Sequence, residues 1–204
     1  MTRGRLIAFE GGEASGKSTQ SKLLAARLGA VLTHEPGATA LGRRIRELVL
    51  GDDMGTLDAR AEALLLAADR AQHAAAVIAP ALTAGTDVVT DRFTGSSLAY
   101  QGYGRGLDRD WIAELSAWAT GGITADVVFL LDVPLEVAQQ RRRTRPDRIE
   151  AEDLAFHERV IDGYRQLAAD DPTRWIVVPA TAAADDVAAQ VRDAFDRWAE
   201  TRAS

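Results

Sequence analysis

The feature that most constrains this chain is the glycine-rich stretch from Gly11 to Ser18, which reads Gly-Gly-Glu-Ala-Ser-Gly-Lys-Ser. It matches G-x-x-x-x-G-K-[ST] at every fixed position, between a strand-like apolar run at 5–10 and a helical pattern at 17–28. In that setting the backbone N–H groups of the loop and the N-terminus of the helix together attract a polyphosphate. The stretch therefore predicts a nucleoside triphosphate site.

Two side chains of this loop carry particular chemistry. Lys17 is one of only two lysines among 24 basic residues, so a compact ammonium stands where the β- and γ-phosphates of ATP would lie. The hydroxyl of Ser18 is suited to ligate Mg²⁺. The residues predicted to bind ATP are Gly11, Gly12, Glu13, Ala14, Ser15, Gly16, Lys17, Ser18 and Thr19.

The order of segments predicts the fold class. Short apolar runs alternate with helical patterns, the runs at 5–10, 30–33, 86–91, 127–133 and 175–178 and the helices at 17–28, 41–50, 57–82, 111–120, 134–142, 152–169 and 184–198. This alternation indicates a parallel sheet covered on both faces. We therefore expect an α/β protein with a three-layer phosphate-loop NTPase fold, in which helices flank a five-stranded parallel sheet within a single domain over 1–204. Gly29 is expected to end the first helix, and Pro80 to bend or break the long one.

Composition narrows the possible classes of function. The chain contains no cysteine, which excludes disulfides, thiolate zinc sites and cysteine nucleophiles. A net charge of −6 argues against broad nucleic-acid binding, and no stretch reaches the roughly 18 apolar residues of a membrane span. We expect a cytoplasmic protein with no nucleic-acid or membrane partner. The chain also lacks asparagine, and with it the Asn-Lys-x-Asp motif of regulatory GTPases, so a small kinase is favoured.

The charged residues that phosphoryl transfer requires follow the phosphate loop along the chain. Asp91 ends a predicted strand beside the loop, so its carboxylate can hold Mg²⁺, and Arg92 can bridge two phosphates. Arg70 and Arg46, on predicted helices, are candidates to bind the acceptor phosphate. Two phosphorylated molecules that meet end to end carry several negative charges, which explains the need for several arginines.

The segment Asp91-Arg-Phe-Thr-Gly-Ser-Ser-Leu-Ala-Tyr-Gln-Gly-Tyr-Gly-Arg-Gly106 resembles the signature of thymidylate kinases, which phosphorylate dTMP to dTDP. Matching segments at 35–37, 68–73 and 147–150 occur in the family's order. The resemblance implies ATP and dTMP as substrates, Mg²⁺ as the metal cofactor, direct in-line transfer, and a homodimer formed through packed long helices.

The resemblance also assigns contacts to the acceptor nucleotide. Glu13 would receive the 3′-hydroxyl of the sugar, and Tyr100 would pack against C2′ and leave no room for a ribose hydroxyl. Ser97 and Gln101 would hydrogen-bond the thymine. The complete set expected to bind this substrate is Glu13, Glu35, Arg46, Leu66, Arg70, Arg92, Ser97, Tyr100 and Gln101.

The stretch at about 141–150 is rich in arginine, and Pro146 interrupts any helix there, which predicts a mobile loop. The family resemblance implies that this loop is a lid that closes over ATP. Some members of the family carry a catalytic arginine at the position of Ala14, so the lid is expected to supply that charge here. Arg143 and Arg145 are the two candidates, with no basis for choosing between them. The predicted catalytic residues are Lys17, Asp91, Arg92, Arg143 and Arg145, and the predicted metal ligands are Ser18 and Asp91.

Two other functions stay open at this point. Leu66 stands where the family usually has a phenylalanine that stacks on thymine, so the acceptor could be dUMP or a modified pyrimidine. The chain could also be a nucleotide-binding module without catalysis. The intact set of Lys17, Ser18, Asp91 and Arg92 argues against that second alternative.

Overall fold

A five-stranded parallel sheet forms the centre of the molecule, as expected from the alternating pattern. The computed structural model describes residues 2–51, 55–141 and 146–203. The strands, all parallel, lie in the order β2-β3-β1-β4-β5. Their bounds are β1 Leu6–Glu10, β2 Val31–His34, β3 Val88–Asp91, β4 Val127–Asp132 and β5 Trp175–Pro179.

Helices cover both faces of this sheet, which confirms the predicted fold class. The helix α1 ends at Gly29, whose φ of 62° lies in the left-handed region that glycine adopts readily. The bounds are α1 Lys17–Leu28, α2 Ala40–Leu50, α3 Ala59–His73, α4 Ala79–Thr83, α5 Thr94–Ser97, α6 Arg109–Ala119, α7 Leu135–Arg141, α8 Leu154–Asp170 and α9 Ala184–Ala203.

The long helix predicted at 57–82 begins later than expected and is not broken at Pro80. Asp58 caps α3 by accepting a hydrogen bond from the backbone N–H of Arg60. A wider π-helical turn at Ala74–Ile78 connects α3 to α4. Because proline lacks an N–H and crowds the preceding turn, a locally wider turn lets the helical path continue through Pro80.

A helical segment that the sequence pattern did not predict follows β3. It consists of the short helix α5 and a π-helical stretch at Leu98–Gly104. The buried carboxylate of Glu10, at the end of β1, accepts hydrogen bonds from the backbone N–H groups of Phe93 and Ser96. A tertiary contact therefore starts this segment, which explains why its glycine- and serine-rich sequence shows no helical period.

The topology brings the functional residues to one edge of the sheet. The carboxyl ends of β1, β3 and β2 lie side by side, with His34 opposite Asp91 in the register. Ligands of open parallel sheets bind outside this edge. In the part of the chain that the structure describes, no helix is long and apolar enough to cross a membrane.

Candidate active site

The phosphate loop connects β1 to α1 through glycines that no other residue could replace without strain. A Cβ at Gly11 would lie 2.7 Å from the carbonyl oxygen of Leu131, and the φ of Gly11 is 142°. Gly16 precedes α1 with a φ of 97°. The loop can therefore lie directly against the sheet edge, with the N-terminus of the twelve-residue α1 at its open side.

Lys17 is buried and turns back over its own loop. Its Nζ donates hydrogen bonds to the carbonyl oxygen of Gly12 at 2.7 Å and to Oγ of Ser15 at 3.3 Å. Burial, together with the nearby charge of Arg92, lowers the pKa of Lys17 to about 8, although Glu13 and Asp91 oppose that shift. An ammonium that has lost its water in this way is ready to exchange loop contacts for phosphate oxygens.

A donor cavity of about 580 Å³ opens over this loop. Loop residues form its floor, and His34, Asp91 and Arg141 contribute to its walls. Arg141, the last residue of α7, donates to the carbonyl oxygens of Ala180 at 2.8 Å and Thr181 at 2.9 Å. The helix that leads into the predicted lid is therefore tied to the loop after β5.

Ser18 and Asp91 meet inside the donor cavity. The hydroxyl of Ser18 donates to one carboxylate oxygen of Asp91, while the other oxygen, Oδ1, is buried without a hydrogen-bond partner among the described residues. A buried oxygen without a partner is costly unless a ligand satisfies it. A hydroxyl and a carboxylate beside a phosphate site fit Mg²⁺, which takes few protein ligands and completes its shell with water and phosphate. Within the described ranges, no group of three or more His, Cys, Asp or Glu is placed to hold a metal.

Arg92 lies at the boundary between the loop and the next part of the site. Its φ of 72° is unusual for a residue with a side chain, and its guanidinium is ion-paired with the carboxylate of Glu13. It also donates to the hydroxyls of Tyr164 at 3.2 Å and Tyr100 at 3.3 Å, and to Oγ of Ser96 at 3.1 Å. Such a strained backbone is retained where the surrounding contacts dictate it, as they do here.

Glu13 is fixed by the same cluster. Its carboxylate accepts from the hydroxyl of Tyr100 at 2.8 Å as well as from Arg92. Burial alone would raise the pKa of Glu13, but the charges of Arg92 and Lys17 outweigh burial and lower it to about 2. Glu13 therefore stays ionised and can accept a hydrogen bond from a substrate hydroxyl throughout the neutral range.

An acceptor cavity of about 120 Å³ adjoins the donor cavity. Leu66, Ser97, Tyr100 and Gln101 line it, as expected for a base and sugar pocket. The residues common to both cavities are Glu13, Glu35, Arg46 and Arg92. Two ligands that occupy the cavities would therefore approach each other at these four side chains.

Arg70 lies in the wall of the acceptor cavity, but it is buried and not a solvated charge. Its guanidinium donates to Oε2 of Glu35 at 2.8 Å, to Oγ of Ser97 at 2.7 Å and to the carbonyl oxygen of Phe93 at 3.0 Å. Arg46 differs, because it is exposed and donates to the carbonyl oxygen of Pro36 at 3.0 Å. Arg70 therefore has a structural task besides any contact with substrate, whereas Arg46 is an exposed side chain held by a backbone carbonyl.

Glu35 links these groups to a buried histidine. Its Oε1 lies 2.9 Å from Nδ1 of His73, whose Nε2 lies 2.7 Å from Oγ1 of Thr33. Glu35 therefore lines the site with its carboxylate already bound to Arg70 and His73. The remaining predicted base contact, Gln101, is also engaged, since its Nε2 donates to Oε1 of Glu62 at 2.9 Å.

Several residues of the site were not predicted from the sequence. Glu10 and Tyr164 form a buried network behind Arg92, in which Oε2 of Glu10 accepts from Ser96 at 2.6 Å and from Tyr164 at 3.1 Å. Glu62 was missed because it belongs to no short motif. Asp69, His73 and Ile149 lie within the matching segments 68–73 and 147–150, but no pattern there singled them out. The two predicted lid arginines, Arg143 and Arg145, lie outside the described residues.

Comparison with known proteins identifies the family. The chain matches the family model described as thymidylate kinase over residues 9–191. It is 47% identical to a thymidylate kinase of Desulfovibrio desulfuricans over 96% of this chain and 97% of the relative. The chain belongs to the thymidylate kinase family. A second relative, a thymidylate kinase of Synechococcus, is 50% identical over 91% of each chain.

A solved structure is similar over the whole fold. The crystal structure of thymidylate kinase from Ehrlichia chaffeensis superposes with a TM-score of 0.80 at 32% identity, covering 95% of this chain and 99% of that one. The family predicted from the motifs is therefore confirmed. The activity expected of this family is confirmed as well: the chain is a kinase that transfers a phosphoryl group from ATP to dTMP.

Proposed function

We propose that the two cavities hold ATP and dTMP end to end, so that a phosphate oxygen of dTMP attacks the γ-phosphorus in line and ADP leaves. The observation that carries this arrangement is the set of side chains shared by both cavities, with Arg92 at its centre. The two carboxylates at this junction are already paired, Glu13 with Arg92 and Glu35 with Arg70 and His73, which favours direct transfer over a covalent intermediate. Catalysis then depends on positioning and on charge stabilisation.

On the donor side, the phosphate loop binds the triphosphate of ATP. Its backbone N–H groups and the N-terminus of α1 face the phosphates, and Lys17 moves from its loop carbonyl to the β- and γ-phosphate oxygens. Ser18 and Asp91 would hold Mg²⁺, which neutralises phosphate charge when bound. The fixed guanidinium of Arg92 stabilises the charge that develops between the two substrates.

On the acceptor side, Arg92, Arg70 and Arg46 surround the phosphate of dTMP. Glu13 accepts the 3′-hydroxyl of the sugar, and the ring of Tyr100, fixed by its hydrogen bond to Glu13, lies against C2′. Ser97 and Gln101 contact the thymine, and Leu66 provides an apolar surface for its ring. The segment at 141–150 acts as a lid that brings Arg143 or Arg145 to the transferring phosphoryl group.

We also propose that the enzyme is a homodimer formed through α3 and α6. Their outer faces expose large apolar side chains: Leu64 is 52%, Trp111 41% and Trp118 81% exposed. Exposed apolar side chains of this size, on two helices that pack against each other, are typical of an interface between copies. Sedimentation velocity should give a mass near twice 21.9 kDa, and Trp118→Glu should reduce it to one chain.

The reaction is tested by following ADP release with ATP and Mg²⁺ against a panel of monophosphates. We expect dTMP to be the preferred acceptor among dTMP, dUMP, UMP, CMP, AMP and GMP. Preference for dUMP would be consistent with the proposed phosphoryl-transfer site, but it would show that the proposed base pocket, which includes Leu66, is wrong. A folded sample that binds ATP and phosphorylates none of them would overturn the proposal.

A further inference from the structure

Glu62 on α3 is a fully buried carboxylate that does not line either cavity, yet it touches the base pocket from behind. Its Oε1 accepts from Nε2 of Gln101 at 2.9 Å and from Nε of Arg105 at 3.1 Å. Its Oε2 accepts from Nη2 of Arg105 at 2.9 Å and from Nη2 of Arg148 at 2.6 Å. Both oxygens are therefore saturated by donors from three residues, two at the helical stretch after β3 and one at Arg148.

The charge state of Glu62 decides which way the amide of Gln101 points. Burial would raise the pKa of Glu62, but hydrogen bonds from Arg105, Gln101 and Arg148 outweigh burial and hold the pKa below its ordinary value. An ionised carboxylate only accepts hydrogen bonds, so the group of Gln101 that faces it must be the NH₂. The carbonyl oxygen Oε1 of Gln101 is then on the other side, and no described residue donates a hydrogen bond to it.

The orientation of this amide has a consequence for base recognition. Thymine and uracil carry an N3–H donor beside the O4 acceptor, whereas cytosine presents a bare N3 acceptor beside an amino group. If the amide oxygen of Gln101 faces the pocket, it accepts a hydrogen bond from the N3–H of thymine or uracil. With cytosine, the same oxygen faces the N3 lone pair, so two acceptors oppose each other. An unmatched pair of acceptors in a buried pocket is strongly unfavourable.

We propose that Glu62 is a positioning residue that locks the amide of Gln101 and thereby selects pyrimidines with an N3–H over cytosine. This inference rests on the proposed function, in which Gln101 contacts the base. Arg105 and Arg148 serve as the charges that keep Glu62 ionised inside the protein, where an unpaired carboxylate could not remain. Selection of the base is thus controlled from a layer of residues that the substrate never touches.

The test is Glu62→Gln. Two of the three arginine N–H groups on Glu62 point at Oε2, so the new amide should place its oxygen there and its NH₂ toward Gln101, with loss of the hydrogen bond from Nε of Arg105 to Oε1. Gln101 then turns over and presents its own NH₂ to the pocket. We expect the ratio of kcat/KM for dTMP to that for dCMP to fall at least about tenfold, with the KM for ATP unchanged.

Glu152→Gln is the matched control. Glu152 is ion-paired with the same Arg105 but has no contact with Gln101. It should leave the dTMP to dCMP ratio as it is in the unaltered enzyme. If Glu62→Gln lowers kcat/KM for both nucleotides by the same factor, the role of Glu62 is structural only, and the proposal is wrong.

Two further variants cover a failure of Glu62→Gln to fold. Glu62→Asp keeps a group that only accepts, so it should retain the preference for dTMP even where stability falls. Gln101→Met removes the amide. In that background, enzymes with Glu62 and with Glu62→Asp should have equal ratios of kcat/KM for dTMP to kcat/KM for dCMP. A lost preference in Glu62→Asp would contradict the proposal. Absence of dTMP turnover in the unaltered enzyme would instead overturn the proposed function.

Discussion

The two halves of the site are built in different ways. The floor of the donor cavity is one continuous loop whose conformation glycines permit, and Lys17 and Ser18 follow directly in the sequence. The acceptor cavity is formed by side chains from many separate elements, most of them already engaged with one another. The floor of the donor site is therefore a local property of the chain, while its walls and the acceptor site exist only in the folded molecule.

This difference predicts that a single substitution on the donor side lowers activity without lowering the stability of the fold. Lys17→Ala should lower kcat by about 10³-fold, because it removes the one ammonium at the transferring phosphate and no buried partner is left charged. Circular dichroism and the melting temperature should stay close to those of the unaltered protein. Lys22→Ala, at the other lysine and exposed on the same helix, is the control and should be fully active. A Lys17→Ala enzyme with unchanged kcat would remove Lys17 from the site.

The same lysine should make ATP capture sensitive to pH. Its pKa is about 8 without substrate, so the protonated form that binds phosphate is present below pH 8 and is lost above it. We expect kcat/KM for ATP to fall about tenfold per pH unit above 8, while kcat at saturating ATP changes less because bound phosphate raises the pKa. Rate profiles from pH 6 to 10 measure both. A profile of kcat/KM that stays flat to pH 10 would contradict the burial argument.

On the acceptor side, substitutions should disturb folding and binding together. Arg70→Ala and Arg46→Ala should each raise the KM for dTMP about tenfold and leave that for ATP unchanged. Only Arg70→Ala should also lower the free energy of unfolding, by about 3 kcal/mol, because it leaves Glu35 buried without its arginine. Urea unfolding and steady-state kinetics separate the two effects. Equal stability of the two variants would mean that the buried network around Arg70 contributes little.

The smallest effect is expected at the apolar wall of the acceptor cavity. Leu66→Phe should lower the KM for dTMP several-fold, since an aromatic ring stacks on the base where leucine only contacts it. Leu167→Phe, at a leucine that packs against the same apolar cluster but does not line the cavity, is the control for a general effect of the larger side chain. An increased KM in Leu66→Phe would show that the cavity has been reshaped to fit leucine.

How much the sequence could predict follows from the same contrast. The parallel sheet, the phosphate loop and the pair Asp91 and Arg92 were predicted because each depends on a short run of residues with its own pattern. The setting of Arg70 was not, since its partners Glu35 and Ser97 are distant in the chain and burial cannot be read from a single charged residue.

The helical segment after β3 and the continuous path through Pro80 show the same limit. Glu10 starts the former through contacts across 83 and 86 residues, and a π-helical turn accommodates the latter. In the first case a tertiary contact outweighs the local sequence preference, and in the second a change of helix geometry does. Glu62 resembles the first case, because only the fold brings it against Gln101, Arg105 and Arg148.

The central claim is that the two cavities form one continuous site joined at Arg92. The most direct measurement is calorimetric titration with a compound in which adenosine and thymidine are linked 5′ to 5′ through five phosphates. We predict that one molecule binds per chain, more tightly than ATP or dTMP alone, and that saturating compound abolishes binding of both nucleotides. If either ATP or dTMP still binds with unchanged affinity to the saturated enzyme, the cavities are not joined, and the account is wrong.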